Sequence, residues 1–182
     1  LTFRQGNPYL LPQFAHNFEL SHTFKQQWIT TLNYSITDNV ISELLKQNTE
    51  KRITFLTVEN VARFRNIGLS ITAPIKPASW WNMNVFVNVF NNQFEGQYYN
   101  SFTGKNDPID IDYTSYLLNV TNSFTFKKGW SAEISGWYRG KAIEELSIAN
   151  EMYFLNIGGQ KTIMKGKGTL RFNFRDPFHW QR

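Results

Sequence analysis

The sequence predicts an all-β fold, an antiparallel up-and-down meander of about eight strands, on three observations. Apolar and polar residues alternate with a period of two along most of the chain, which indicates strands with two different faces. Short connections alternate with long ones. No apolar stretch approaches the roughly 18 residues of a membrane-spanning helix. We therefore treat residues 1–182 as one β-structured unit.

Eight segments carry the alternation. In the segment 80–90, for example, Trp81, Met83 and Val85 share one face, opposite Asn82 and Asn84. A helical turn fits only residues 40–46, inside a long connection. The predicted strands cover residues 14–24, 28–37, 66–73, 80–90, 113–126, 130–139, 153–163 and 169–175.

The connections differ in length in a regular order. The short connections each contain lysine, and they lie at 25–27, 74–79, 127–129 and 165–168. The long connections are predicted as loops at 38–52, 91–112 and 140–152. An up-and-down meander places all short turns on one rim, the asymmetry of outer-membrane barrels.

Three further features favour a transmembrane β-barrel over a soluble β-domain. The polar face is mainly Asn, Ser and Thr rather than the mixed charges of a solvated surface. Trp28, Trp81 and Trp130 each follow a short turn with the parity of the apolar face, as in a membrane-interface girdle. Ten-residue strands tilted by about 45° rise about 23 Å, close to the apolar band of such barrels. We therefore expect contact with outer-membrane lipid.

Other classes of function have little support in the sequence. The net charge is +5, but the basic residues are scattered, so we expect no nucleic-acid partner. There is no cysteine, and the three histidines have no metal-ligand spacing. Asp107, Asp110 and Asp112 lack the spacing of a calcium loop. We expect no enzyme activity, no metal and no cofactor.

Five short motifs resemble the TonB-dependent receptors, most closely their Bacteroidetes-type outer-membrane β-barrel family. Each motif is short, but their order and spacing extend the resemblance over nearly the whole chain. They are residues 6–21 (GNPYLLPQFAHNFELS), 66–70 (NIGLS), 80–84 (WWNMN), 157–161 (IGGQK) and 175–178 (RDPF).

The resemblance implies a large barrel in the bacterial outer membrane that imports a nutrient, such as a siderophore or glycan. It also implies an amino-terminal plug domain and the energy transducer TonB as partners, reached through parts of the protein that this chain lacks. We expect a wall segment from the carboxy-terminal half of the barrel. Two alternatives remain open: a complete small eight-stranded outer-membrane barrel serving as structural anchor or adhesin, and a soluble β-rich binding module.

Two groups of residues are candidates for contacts with a substrate of unidentified structure, either a small molecule or an oligomer. The charged residues of the polar face are expected to point into the lumen, towards a substrate or plug, or to pair with each other or water. Aromatic residues in the long loop 91–112 are candidates for ligand contact. The lumen-facing candidates are Glu19, Glu133, Arg139, Arg171 and Arg175, and the loop candidates are Tyr98, Tyr99 and Phe102.

The inward positions are mostly too small to fill an eight-stranded barrel, whose interior side chains meet across the axis. We therefore predict an open sheet in which each strand pairs with its sequence neighbour and the first and last strands do not pair.

Overall fold

The structure, a computed structural model, describes residues 2–48, 53–100, 104–144 and 147–178. Within these ranges, no helix is long and apolar enough to cross a membrane, and 3-10 turns occupy Lys127–Gly129 and Met164–Gly166. The strands are β1 (Thr2–Arg4), β2 (Phe14–Phe24), β3 (Trp28–Asn48), β4 (Ile53–Ala78), β5 (Trp81–Asn100), β6 (Lys105–Thr125), β7 (Trp130–Arg139), β8 (Ala142–Glu144), β9 (Ser147–Ala149), β10 (Met152–Ile163) and β11 (Gly168–Arg175).

Eight of these strands form one antiparallel meander in the order β11-β10-β7-β6-β5-β4-β3-β2. Each long strand pairs with its neighbour along the chain, and the small β8–β9 hairpin is inserted between β7 and β10. The predicted all-β meander is therefore confirmed. Strands β2 and β11 lie at opposite ends of this order and do not pair with each other, so the sheet is open, as predicted.

Three of the four short turns reverse the chain through left-handed backbone, the conformation of tight hairpin turns. Most of these positions are not glycine, so the pairing of the flanking strands holds residues in a conformation they seldom adopt alone. The residues with positive φ are Lys25 and Gln26 in the first turn, Lys128 and Gly129 in the third, and Met164, Lys165 and Gly166 in the fourth.

The predicted long loops are largely wrong. Strand β3 continues to Asn48 and β4 begins at Ile53, while β5 continues to Asn100 and β6 begins at Lys105. Most of 38–52 and 91–112 is therefore paired strand, and the helical turn suggested for 40–46 is strand as well. The third loop, 140–152, contains the β8–β9 hairpin. We call these continuations the outer extensions, and they comprise residues 38–48 of β3, 53–65 of β4, 91–100 of β5 and 105–112 of β6.

A change of phase in the alternation explains the error. In the first half of β5, residues such as Val85 and Val89 share the parity of Trp81. In the outer extension, the same parity carries Gln93 and Glu95, and the apolar side chain is the intervening Phe94. The strands remain paired where the phase changes, but the apolar residues move from one face to the other. The periodicity in the sequence is therefore interrupted at this point.

The apolar side chains of the outer extensions pack into a small core. Phe94 contacts Phe64 with ring centroids 4.6 Å apart. Ile143 from the β8–β9 insertion is buried in the same cluster, so this hairpin covers the inner side of the extensions. The buried members are Val61, Ala62, Phe94, Ile109 and Ile143, and the partly buried ones are Val40, Leu44, Phe64, Tyr98, Ile111 and Tyr113.

Gly96 allows β4 and β5 to approach closely beside this core. It pairs with Ala62, where the β3–β4 register shifts between Val40 and Ile41 and leaves Val61 as an extra residue in β4. A Cβ atom on Gly96 would lie 2.0 Å from the Val61 carbonyl oxygen. Only glycine fits there without moving backbone.

The segment before β2 is tied to the β3–β4 extension. Strand β1 pairs in parallel with β4, and the backbone N–H of Gln5 donates to the carbonyl of Leu56 (3.0 Å). Asn60 then makes two bonds to Leu11: its Oδ1 accepts from the backbone N–H (2.7 Å), and its Nδ2 donates to the carbonyl (3.0 Å). The same Nδ2 donates to the carbonyl of Asn39 (2.8 Å). The Asn60 amide thus ties the segment before β2 to Asn39, which lies where the β3–β4 register shifts between Thr37 and Val40.

Candidate functional site

One face of the meander is apolar and exposed. The side chain of Leu20 is 71% exposed, that of Phe18 64% and that of Leu170 62%. A soluble domain buries most large apolar side chains, and contiguous exposed patches mark contact surfaces. The other exposed apolar residues with the parity of this face include Leu32, Ile67, Leu69, Ile71, Val89, Leu118, Ile134, Phe172 and Phe174.

Aromatic side chains mark the short-turn end of this apolar face. The three predicted tryptophans all have its parity, and Trp28 and Trp130 are exposed. Perpendicular to the strands, the register places Trp28 level with Val85 in β5, which lies four residues farther from the short turns than Trp81. In the same way it places Trp81 level with Ala132 in β7, which lies two residues farther from the short turns than Trp130. Both offsets run in the same sense, averaging about 1.5 residues per strand, the value for strands tilted by about 45° and spaced 4.8 Å apart.

Trp80 belongs to the same aromatic group, although the sequence pattern placed it in a strand without a role. Its ring stacks on Trp81 at 6.2 Å and on Phe126 at 5.9 Å, and it lies 6.0 Å from Phe124. The signal available in the sequence was the Trp80–Trp81 doublet beside a turn.

A second group of aromatics lies at the other end of the apolar face and was not predicted. Tyr116 and Tyr138 stack with centroids 5.4 Å apart, and Tyr138 and Tyr153 with centroids 6.1 Å apart. Eight residues separate Trp130 from Tyr138 in β7, a rise of about 19 Å at a tilt of about 45°. The apolar face is thus bounded by tryptophan and phenylalanine at one end and by tyrosine at the other.

Beyond the tyrosines the same face becomes charged. Arg63 Nε donates to Asp38 Oδ1 (2.5 Å), and Arg65 Nη2 donates to Glu95 Oε2 (2.6 Å). The Asp38 carboxylate, through this bond and its charge, raises the pKa of the Arg63 guanidinium above its ordinary value. These residues share the face of the outer extensions that continues from the apolar zone, so the change in polarity marks where that zone ends.

The five predicted lumen-facing charges all have the parity of the polar face. Glu19 pairs with Asn33, and Arg139 pairs with Leu117 and Met152. Glu133 lies on β7 and Arg171 and Arg175 lie on β11, with only β10 between these two strands, whereas Glu19 lies on β2 at the far end of the sheet.

Within the described residues, Glu19, Glu133, Arg171 and Arg175 form no ion pair with one another. Arg171 Nε instead donates to the Gln160 amide (2.9 Å). Their charges are therefore not neutralised by each other.

Asparagines form a hydrogen-bonded ladder across the polar face. Asn33 Nδ2 donates to Asn66 Oδ1, and Asn66 Nδ2 donates to Asn92 Oδ1, both at 2.6 Å. The Asn33 side chain passes over Gly68, where a Cβ atom would lie 2.6 Å from its Oδ1. The ladder satisfies the amides within one face and leaves that face polar.

The predicted loop aromatics lie in strand rather than loop, which corrects their placement. Tyr98 and Tyr99 are adjacent in β5 and point to opposite faces. Tyr98 packs against the apolar core and its hydroxyl lies 3.5 Å from Asp107 Oδ2, while Tyr99 is half exposed. Phe102 lies outside the described residues. Of the three, Tyr99 is the aromatic that the described structure leaves open to a ligand.

The three neighbouring aspartates do not converge. They lie in β6, with Asp110 and Asp112 on one face and Asp107 on the other. Asp112 accepts a hydrogen bond from Asn91 and Asp107 accepts one from Asn100, both at 2.5 Å. Among the described residues, no group of three acidic or histidine side chains is placed to hold a metal ion.

An open antiparallel sheet with one exposed apolar face, bounded by aromatic residues, defines a wall of a membrane-spanning β-barrel. The chain belongs to the outer membrane protein beta-barrel family, whose model matches residues 1–182. It is therefore a β-barrel protein of the bacterial outer membrane. No curated protein and no solved structure matches it.

Proposed function

We propose that this chain is a wall segment of a TonB-dependent receptor, a large barrel that imports a nutrient such as a siderophore or glycan without catalysing a reaction. The observation that carries the proposal is the open sheet. Strands β2 and β11 each present an unpaired edge within an apolar zone, and unpaired backbone groups are costly in lipid. Further strands on both sides would satisfy these edges and widen the barrel.

The polar face supports a wide lumen. Its residues are mainly small and neutral, and the asparagine ladder runs along the sheet rather than across a narrow interior. A closed eight-stranded barrel is filled by side chains that meet on its axis. A wider lumen suits water or a plug domain, and the charges at Glu133, Arg171 and Arg175 are then available to a plug or substrate.

The two aromatic groups support lipid contact. Indole and phenol rings settle at the headgroup level, and the separation of about 19 Å between the groups approaches the roughly 25 Å apolar band of outer-membrane barrels. We propose that Trp28, Trp81 and Trp130 form the girdle on the short-turn side and the tyrosines the girdle on the opposite side.

Cysteine cross-linking tests the open sheet, because the chain has no native cysteine. Single cysteines along β2 would each be combined with one cysteine in β11, and the protein containing this chain would be oxidised in the membrane. We expect no β2–β11 disulfide at any register. A monomer in detergent that forms this disulfide would establish the small closed barrel, serving as anchor or adhesin, instead.

Growth experiments test the receptor role. A strain lacking the protein that contains this chain and a strain lacking TonB would be grown on media limited in iron, or supplied with single glycans. We expect both strains to fail on one and the same medium. Normal growth of the first strain wherever the second fails would contradict a TonB-dependent import role.

A further inference from the structure

Lysine is concentrated at the short-turn end of the sheet. The segments 25–27, 74–80, 126–129 and 164–168 together contain six lysines and no acidic residue. The acidic residues lie mainly at the opposite end, in the outer extensions, where they include Asp38, Glu43, Glu59, Glu95, Asp107, Asp110 and Asp112. The two ends of the sheet therefore differ in charge.

Two of the short turns lie side by side and combine their lysines. These are the turns at Lys127–Gly129 and Met164–Gly166. Trp130, which follows the former, pairs with Lys161, which precedes the latter. The Lys127–Gly129 turn also lies close to the end of β10 just before the second of these turns, since a Cβ atom on Gly129 would lie 3.1 Å from Thr162 Cβ. We call the resulting group the five-lysine patch, and it consists of Lys127, Lys128, Lys161, Lys165 and Lys167.

The patch adjoins the exposed apolar face. Lys161 Nζ lies 4.8 Å from the centre of the Trp130 ring, and it donates a hydrogen bond to the Lys128 carbonyl. Trp130 itself is half exposed, and Met164, between the lysines, is 73% exposed. Positive charge, an indole ring and a flexible apolar side chain thus share one small surface.

We propose that the five-lysine patch binds the anionic headgroups of phospholipids, in the leaflet on the short-turn side of the membrane. Ammonium groups are compact donors suited to phosphate, and clustered lysines are attracted to anionic lipid surfaces. Trp130 and Met164 would then contact the upper part of the acyl chains, as interfacial aromatics do. A phospholipid offers both a phosphate for the lysines and acyl chains for these apolar neighbours, whereas an acidic protein surface offers only the negative charge. This difference favours lipid as the partner. The proposal depends on the outer-membrane location and is independent of the receptor role.

Native mass spectrometry tests this proposal on the protein that contains this chain, purified from outer membranes. It would be placed in nanodiscs of phosphatidylethanolamine with a minor fraction of phosphatidylglycerol, and the lipids retained on the released protein would be counted. We expect phosphatidylglycerol to be enriched over its bulk fraction. The K127Q/K128Q/K165Q variant should lose this preference, by on the order of tenfold. The matched K46Q/K105Q/K141Q variant, which removes three lysines from the other end, should keep it.

A salt titration of the unmodified protein gives an independent readout that does not depend on variants folding. The enrichment should fall as ionic strength rises, because exposed charges are screened. Equal retention of both lipids by the unmodified protein, a salt-independent preference, or an equal loss in both triple variants would overturn the proposal. If lipid A replaces phosphatidylglycerol with equal retention at the same patch, the assignment to phospholipid is wrong.

Discussion

Neighbouring residues in the strands of the meander face opposite environments, one apolar and one polar. Val85 lies on the apolar face between the two aromatic groups, while Asn84, the residue before it, lies on the polar face and is exposed. Because the side-chain period of a strand is two, one position decides between hydrocarbon and lumen. The effect of a charge at each position therefore reports which face is which.

Arginine substitutions at these two positions test the face assignment. Val85→Arg places a cation near the middle of the apolar zone and should destabilise the barrel by about 2–4 kcal/mol. Asn84→Arg should change stability by less than about 1 kcal/mol, because the polar face is hydrated. Urea titration of the protein refolded into lipid vesicles measures both. Equal losses would contradict the assignment, and a larger loss for Asn84→Arg would reverse it.

The closest backbone approach occurs at Gly96, where a methyl group would meet the Val61 carbonyl at 2.0 Å. Gly96→Ala must push β4 and β5 apart, and such overpacking costs about 1–3 kcal/mol. We expect faster proteolysis of the outer extensions while the heat-modifiable electrophoretic mobility of the barrel is retained. Gly6→Ala is the matched control, because nothing lies within 4 Å of the added atom. Identical proteolysis of the two variants would contradict the close approach.

The apolar face carries a residue-level signal in the sequence for a physical reason. Trp28, Trp81 and Trp130 could be proposed as a girdle because they repeat the phase of the lipid-side alternation and follow turns. The asparagine ladder could not be predicted, because three amides on separate strands become neighbours only through register. Trp80 was missed because it stands at a turn, where parity carries no information.

At the scale of elements, the strands are longer than the membrane zone requires. Strands β3 to β6 contain 20 to 26 residues, and about ten suffice to cross the bilayer. Most predicted strand starts and ends near the membrane zone were close to correct. The short connection predicted at 74–79 is an exception, because β4 continues through it to Ala78 and pairs with β5.

The outer extensions were taken for loops. Their partners across each hairpin are close in sequence, such as Asn48 with Ile53 and Asn100 with Lys105. Their phase is inverted, however, so no uniform apolar face runs through the strand and the local pattern does not predict the pairing.

The outer extensions depend on their own small core, and Phe94 tests this. Phe94→Ala removes the ring that packs on Phe64 and should destabilise the extensions by about 2–4 kcal/mol, since a cavity replaces buried contact. Hydrogen exchange of the β5–β6 extension should accelerate while the membrane zone remains protected. Tyr99→Ala is the control, because Tyr99 lies in the same strand and is half exposed. Equal acceleration in both variants would show that the core does not hold the extensions.

At the scale of the whole molecule, a steady stagger between strands sets the tilt of the sheet. Each strand is displaced from the next in one sense, and the tryptophans follow that displacement. The sequence predicted the membrane barrel and suggested a girdle on the short-turn side. The common level that we propose for the tryptophans depends on the stagger, which is a property of the register. The tyrosine group was likewise not predictable, because its members come from three strands with no shared sequence motif.

Fluorescence quenching tests whether the tryptophans share one depth. Variants that keep only Trp28, Trp81 or Trp130, with the other tryptophans changed to phenylalanine, would be reconstituted with lipids brominated at different chain positions. We expect the same quenching profile for all three, with the maximum nearest the headgroups, because indole settles there. Trp137, whose parity is that of the polar face, should be quenched far less as the sole tryptophan. Three different depths would contradict the common girdle.

The inverted phase of the outer extensions should make insertion directional. Within hydrocarbon, the charged pairs Arg63–Asp38 and Arg65–Glu95 would face acyl chains, which is costly, so we expect the extensions to reach their final fold only after they have crossed the bilayer. After Phe94, Ile109 and Ile143 have packed together on the far side, withdrawal would require that core to unfold before the charges could return. We therefore expect the folded extensions to hold the assembled barrel in the membrane from outside the lipid.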